Sequence, residues 1–259
     1  MPVHDDLGKR MKEYYEGIPK TKLMRRTPVA IRIDGKAFHT FTRGFKRPYD
    51  IILHNSMQET MKYLCENIQG CVFGYTQSDE ITLILVDYQT LTSGAWFDYE
   101  VQKMCSIAAS MATMTFNKYF PRIAAQWIEN NRSNIEDDYL NTLLGAIDKG
   151  AMFDARCFNI PKEEVTNLVY WRQLDATRNS IEMAGRAYFS HNELHKKSVN
   201  DIQDMLHEKY GINWNDYETC FKRGSACIKG ENGWTIDADM PILKGEDRQY
   251  LDRLINVGE

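Results

Sequence analysis

Residues 29–42 read VAIRIDGKAFHTFT, and the first half of this stretch decides the fold. Val29, Ile31 and Ile33 alternate with Ala30 and Arg32, the two-residue period of a strand with one buried face. Asp34-Gly35 follows at once. Asp-Gly is a common turn dipeptide, so Asp34 reads either as an ordinary turn residue or as a metal ligand held at the end of a strand. A metal ligand there requires a partner carboxylate elsewhere in the chain.

A partner stands in CVFGYTQSDEITLILVDY, residues 71–88. Two short β runs, Cys71 to Tyr75 and Ile81 to Val86, flank a polar turn that carries Asp79 and Glu80. If the first strand lies beside this hairpin, Asp34 and Asp79 meet. Two carboxylates 4 Å apart repel by about 4 kcal/mol at an effective dielectric near 20, and a cation must offset that. Hard oxygen ligands suit Mg²⁺, which binds through one or two carboxylates and completes its shell with water and substrate phosphates. Gly35 has no side chain, so its carbonyl and amide can approach a metal or a phosphate. Two such ions would serve an in-line displacement at phosphorus, which points to phosphoryl or nucleotidyl transfer.

Outward from these strands the chain supplies an α+β frame. Residues 1 to 17 have helical spacing, and Ile51 to Ile68 form an amphipathic stretch ended by Gly70. Val101 to Trp127 predicts a long, largely buried helix interrupted by Pro121, and residues 128 to 150 a charged, exposed connection. FDARCFNIP predicts another strand. Pro161 and two acids open a helix that continues through a second one, residues 198 to 209 form one more, and SACIKG with GWTIDADM closes as a hairpin. The order β-α-ββ-α-β with later helices predicts an antiparallel sheet with helices packed on one face. A single catalytic domain is expected over residues 1–259, with a core about 1–160 and a helical and terminal-hairpin extension about 161–259.

Bulk composition narrows the class without choosing a function. With 43% hydrophobic and 26% charged residues the chain is an ordinary globular one. No apolar run approaches the roughly 18 residues of a membrane span, and the polar start MPVHDDLGKRMKEYYEG lacks a signal-peptide core, so no membrane partner and a cytoplasmic location are expected. Cys65, Cys71, Cys105, Cys157, Cys220 and Cys227 form no CxxC pair and predict reduced thiols. A net charge of -4 leaves nucleic-acid binding to local patches. Lys20/Lys22/Arg25/Arg26, Arg43/Lys46/Arg47, Lys196/Lys197 and Lys222/Arg223 each supply one, or a solvated face.

At this point the sequence resembles a family. RIDGKAFHTF and YTQSDEITLIL resemble the two signatures of the histidine-tRNA guanylyltransferase family, especially its guanylyltransferase-like members. FDARCFNIP, YWRQLDATRNS and GINWNDYETCFKRGSACIKG are similar to further family segments in the family's order. The resemblance implies a polymerase-palm-like core that adds nucleotides to the 5′ end of tRNA in the reverse, 3′–5′ direction. It implies Asp34, Asp79 and Glu80 as catalytic acids, with Asp34, Asp79 and the Gly35 carbonyl holding two Mg²⁺ ions. Asp34 through Gly35, Lys36, Ala37, Phe38 and His39 would bed a nucleoside triphosphate, joined by Ser78, Asp79, Arg47 and Lys103. ATP would activate a 5′-monophosphate, GTP or another nucleoside triphosphate would be added, and a homo-tetramer is expected.

The family's tRNA-histidine enzymes carry His-Ile-Asn-Asn-Leu-Tyr-Asn where this chain has TRNSIEM, residues 177–183, which retains Asn179. That departure favours the guanylyltransferase-like branch and templated repair of tRNA 5′ ends. Arg178 and Asn179 are expected at triphosphate or RNA, and Lys222 and Arg223 at RNA phosphates. His191 and His195 stand at i and i+4, a zinc-compatible spacing without the register of a metalloprotease motif. Three alternatives stay open: a dedicated tRNA-histidine guanylyltransferase, a non-catalytic RNA-binding protein, and a palm-fold nucleotide cyclase.

Overall fold

The computed structural model describes residues 5–256. In chain order the elements are α1 (Asp6–Met11), β1 (Val29–Gly35), α2 (Phe38–Phe41), α3 (Ile51–Asn67), β2 (Cys71–Gln77), β3 (Glu80–Leu85), α4 (Val101–Asn130), α5 (Asp137–Lys149), β4 (Phe153–Asn159), α6 (Lys162–Tyr188), α7 (His191–Leu194), α8 (Val199–Tyr210), α9 (Thr219–Arg223), β5 (Ser225–Gly230), β6 (Gly233–Asp237) and α10 (Gln249–Ile255). The strands form one antiparallel sheet in the order β4-β1-β3-β2-β5-β6.

The alternation in β1 sorts its side chains as the pattern dictates. Ile31 and Ile33 join the core beneath α3 and α4, while Ala30 faces the opposite side. Asp50 starts α3 by accepting hydrogen bonds from the Ile52 and Leu53 amides. Met57, Met61 and Leu64 of α3 and Met104, Ala108, Ala112 and Phe116 of α4 then bury against the sheet. Each such large apolar side chain contributes about 1.5–3 kcal/mol. The second face is covered as well, an addition to the expectation of helices on one face. Val165 and Val169 of α6 and Leu251 and Ile255 of α10 pack there on Phe73, Ile84 and Ala226.

Three local expectations are corrected. Helix α4 runs through Pro121 without interruption, because Phe116, Phe120 and Ala124 on either side are buried and hold the two halves in line. The exposed connection shrinks to residues 131–136, since α5 buries Tyr139, Leu143 and Ala146 at helical spacing while its charges face outward. The stretch after Pro161 is one helix of 27 residues, α6, and not two. Its first half lies on the sheet, and its second half builds a small core of Ile181 and Ala184 with Phe189, Ile202, Leu206 and Trp214.

The hairpin expected beyond residue 160 extends the same sheet, with β5 paired to β2. The first four residues of the expected N-terminal helix lie outside the described residues. Among the described residues no helix is long and apolar enough to cross a membrane. All six cysteines are free.

Candidate active site

Pairing of β1 with β3 brings the two acidic segments together. The register sets Asp34 opposite Glu80, and the Gly35 amide donates to the Asp79 carbonyl at 3.1 Å. Ser78 takes a left-handed conformation in the turn, φ 51°, and its Oγ donates to Asp79 Oδ1 at 2.9 Å. Burial pushes the Asp79 carboxyl up to about 6; the Ser78 hydroxyl opposes the rise, and the charges of Asp34 and Glu80 add to it. Asp34 is the more open acid, with Arg156 of β4 at 3.8 Å from its Oδ2. Asp154 of β4 faces Asp34 from the other side, so a row of three acids crosses three strands. Like charges placed directly opposite destabilise a sheet unless cations offset them.

Glu80 is already offset. It accepts from Arg32 Nη2 at 3.1 Å and from Arg172 of α6. Arg172 is 5% exposed, reaches Asp175 at 2.9 Å and lies over the Trp171 ring at 4.7 Å. Glu80 therefore ties α6 to the sheet beside the acid pair. Arg32 and Arg172 could not be assigned from sequence, because their partner is set by strand register and by a helix 92 residues further on.

The chain leaving β1 forms the bed of a cleft. Ala37 is left-handed, φ 55° and ψ 38°, and opens the one-turn helix α2. A Cβ on Gly35 would lie 2.2 Å from Phe38 Cδ2, so this glycine makes room for a ring on the core side. Its amide is committed to Asp79, which leaves the carbonyl as the group that can face a ligand. Phe38 itself is a core residue, with ring centroids 5.0 Å from Phe41 and 5.2 Å from Phe153. The cleft has a volume of about 720 Å³ and brings Asp34, Gly35, Ala37, His39, Ser78 and Asp79 together with Arg43, Arg47 and Arg186. Lys36 is exposed and outside that lining. Lys46 also borders the cleft, but its ammonium lies over the Trp127 and Tyr139 rings at 4.2 and 4.8 Å.

The other expected residues divide. Asn179 lines a smaller cavity of about 70 Å³ with Ser78 and His54, next to the cleft. Arg178 is exposed and pairs with Asp175 at 2.7 Å. Lys103 is not brought to the cleft: it pairs with Glu100 at 3.9 Å, at the end of α4 that adjoins Val101 and Cys157 rather than Asp34. Lys222 is drawn into the fold. Its ammonium donates to the Asn215 carbonyl at 2.5 Å, and its burial lowers its pKa. Arg223 is partly buried, and its carbonyl accepts from the Tyr75 hydroxyl at 2.6 Å. Lys22 and Arg25 of the first basic cluster are paired to Asp98 and Asp87. The His191 and His195 rings lie 6.2 Å apart, and no third zinc ligand joins them among the described residues.

The donors at the cleft fit Mg²⁺. Among the described residues no three His, Cys, Asp or Glu side chains form a closed metal cage, whereas Asp34, Asp79 and the Gly35 carbonyl offer only hard oxygens. Mg²⁺ is bound in that partial manner, and a cation would offset the burial that raises Asp79 as well as the smaller repulsion from Asp34 and Glu80.

An acid pair at the ends of neighbouring antiparallel strands, open to a cleft walled by arginines, defines a nucleotidyl-transferring enzyme of the palm-like class. The comparisons with known proteins make this specific. A family model described as tRNAHis guanylyltransferase matches residues 8–161. A bacterial tRNA(His) guanylyltransferase-like protein solved in complex with ATP is 38% identical, with a TM-score of 0.82 over 97% of this chain and 100% of that one. One solved with GTP is 35% identical, with a TM-score of 0.74 over the same shares. The tRNA(His) guanylyltransferase of Debaryomyces hansenii is 26% identical over 233 residues, 84% of this chain and 78% of that protein. The chain belongs to the tRNAHis guanylyltransferase family, a family of nucleotidyltransferases.

Proposed function

We propose that this protein is a Mg²⁺-dependent nucleotidyltransferase that adds nucleotides to the 5′ end of tRNA in the 3′–5′ direction and repairs 5′-truncated acceptor stems by templated addition. The observation that carries the proposal is the convergence of Asp34 and Asp79 at one mouth of an arginine-walled cleft. Similarity to proteins solved with ATP and with GTP supports a nucleoside triphosphate in that cleft.

Asp34, Asp79 and the Gly35 carbonyl would hold the metal, with Ser78 fixing the Asp79 carboxylate. Bound Mg²⁺ supplies neutralisation of the negative charge that develops on phosphate oxygens. Arg43, Arg47 and Arg186 draw the triphosphate into the cleft, and the Ala37–His39 turn aligns it. Glu80, held by Arg32 and Arg172, keeps the turn that bears Asp79 in place. In the first step an oxygen of the RNA 5′-monophosphate attacks the α-phosphorus of ATP and pyrophosphate leaves. In the second, the 3′-hydroxyl of the incoming triphosphate attacks the activated 5′ phosphorus, losing its proton as AMP departs. An RNA that already bears a 5′-triphosphate skips the first step and releases pyrophosphate in the second.

The TRNSIEM segment supports repair over dedicated guanosine addition. The test is extension of a tRNA transcript lacking its first nucleotide, with C, A, G or U opposite the gap. Complementary addition at the 5′ end is expected, and Asp34→Ala or Asp79→Ala should reduce it by about 10³-fold or more. Guanosine added whatever the opposing base would overturn the templated reaction, and no 5′ growth on several tRNAs, with cyclic product from triphosphate alone, would overturn the transferase.

A further inference from the structure

A second cavity of about 500 Å³ adjoins the cleft and shares Arg47 and Arg186 with it. Its remaining basic residues come from α7 and the turn that follows: His191, His195, Lys196 and Lys197. The only acid in its lining is Glu182, which is bonded to Arg186 at 2.8 Å. Lys196 and the two histidines have no ion-pair partner among the described residues, and Lys197 has Asp201 as a neighbouring charge. The presenting turn is pinned at both ends. Ser190 and Ser198 each form a reciprocal capping box, with Glu193 and with Asp201. Lys196 and Lys197 therefore stand as exposed cations on a turn capped at both ends, in a protein whose net charge is -4.

We propose that this basic chamber holds the 5′-terminal phosphate and adjoining backbone of the RNA and delivers that end across Arg47 and Arg186 to the acid pair. The proposal rests on the transferase reading, in which two phosphate-bearing reactants must meet at one place. The cleft and the chamber are each of a size that holds one small ligand. The cleft contains the acids and suits the reacting triphosphate. The chamber has no acid pair, so phosphates in it are held and not transformed. Lysines on long stems bind as point charges, which suits a phosphate strand better than bidentate reading of a single group.

The test uses Lys196→Gln/Lys197→Gln, both exposed and outside the reacting cleft, with Lys196→Arg/Lys197→Arg as the charge-keeping control. Affinity is measured for 5′-truncated tRNA bearing either a 5′-phosphate or a 5′-hydroxyl, between 50 and 200 mM salt, alongside the KM for ATP and GTP. The Gln variant is expected to lower the slope of log K against log salt by about one per lysine and to lose the preference for the 5′-phosphorylated RNA. The Arg variant keeps both, and KM for the triphosphates is unchanged. An unaltered salt slope and 5′-phosphate preference would overturn the assignment. So would a raised triphosphate KM with RNA binding intact, which would make the chamber a nucleotide subsite. If wild-type protein shows the 5′-phosphate preference and the Gln variant loses it, while neither extends RNA, the chamber stands and the transferase reading falls.

Discussion

Asp34 and Asp79 were legible as single residues because a period-two run ending in Asp-Gly, and a hairpin with acids in its turn, are local patterns. Arg172 and Arg186 were not, since their neighbours along α6, Asp175 and Glu182, account for local pairs but not for Glu80 or the cleft. Single-residue chemistry also yields two predictions. His54 packs on Phe221 at 4.7 Å with a buried, unpartnered Nε2, and burial lowers its pKa to about 4. Above pH 6.5, the ordinary histidine value, neither the folded nor the unfolded state binds this proton. Between pH 6.5 and 4 the unfolded chain does, so stability falls with pH through that window and levels off below it. Urea midpoints of wild type and His54→Phe should therefore diverge, the wild type losing about 3 kcal/mol more between pH 7 and 4; parallel curves would refute a neutral His54. Gly35→Ala drives a methyl into the Phe38 ring and should cost about 1–3 kcal/mol in the same assay.

Helix α6 is the element that joins fold to site. It lies on the sheet at Val165 and Val169, anchors Glu80 through Arg172, and carries Asn179 and Arg186 to the cavities. Arg172→Met leaves Glu80 with Arg32 alone and should destabilise the protein by about 1.5–3 kcal/mol. Adding Glu80→Met should recover most of that, because a buried ion pair replaced by apolar groups is near neutral; additive losses in urea unfolding would show that Glu80 and Arg172 act independently. Element boundaries were partly legible. Helix α3 and the β2–β3 hairpin follow their patterns closely, whereas α5 was hidden by a charged outer face and α4 was split at Pro121 on propensity alone.

At the scale of the molecule, the antiparallel sheet was legible from strand order and short connections, and the covering of its second face was not. That face is closed by α6 and α10, elements remote from β1 in sequence. The two adjoining cavities likewise draw on residues 34–53, 78–79 and 182–202. Because the cleft binds only in the folded state, ATP with Mg²⁺ at 100 times its Kd should stabilise wild type by about 2.7 kcal/mol, read as a rise in Tm. The metal-dependent part of that rise should vanish with a chelator and in Asp34→Ala/Asp79→Ala, and a rise indifferent to both would remove the acid pair from nucleotide binding.

The sequence alone determined the strand that ends in an acid, the hairpin that carries its counterpart, and the chemistry that two converging carboxylates demand, because backbone periodicity and turn preference act over a few residues. Only the tertiary structure decided which charges are free and which are paired. Lys222 and Glu80 read alike as functional charges, and folding gives each a partner: the Asn215 carbonyl, and Arg32 with Arg172. Charge partnership depends on strand register, helix docking and the water left around each group, and these exist only once distant segments have packed.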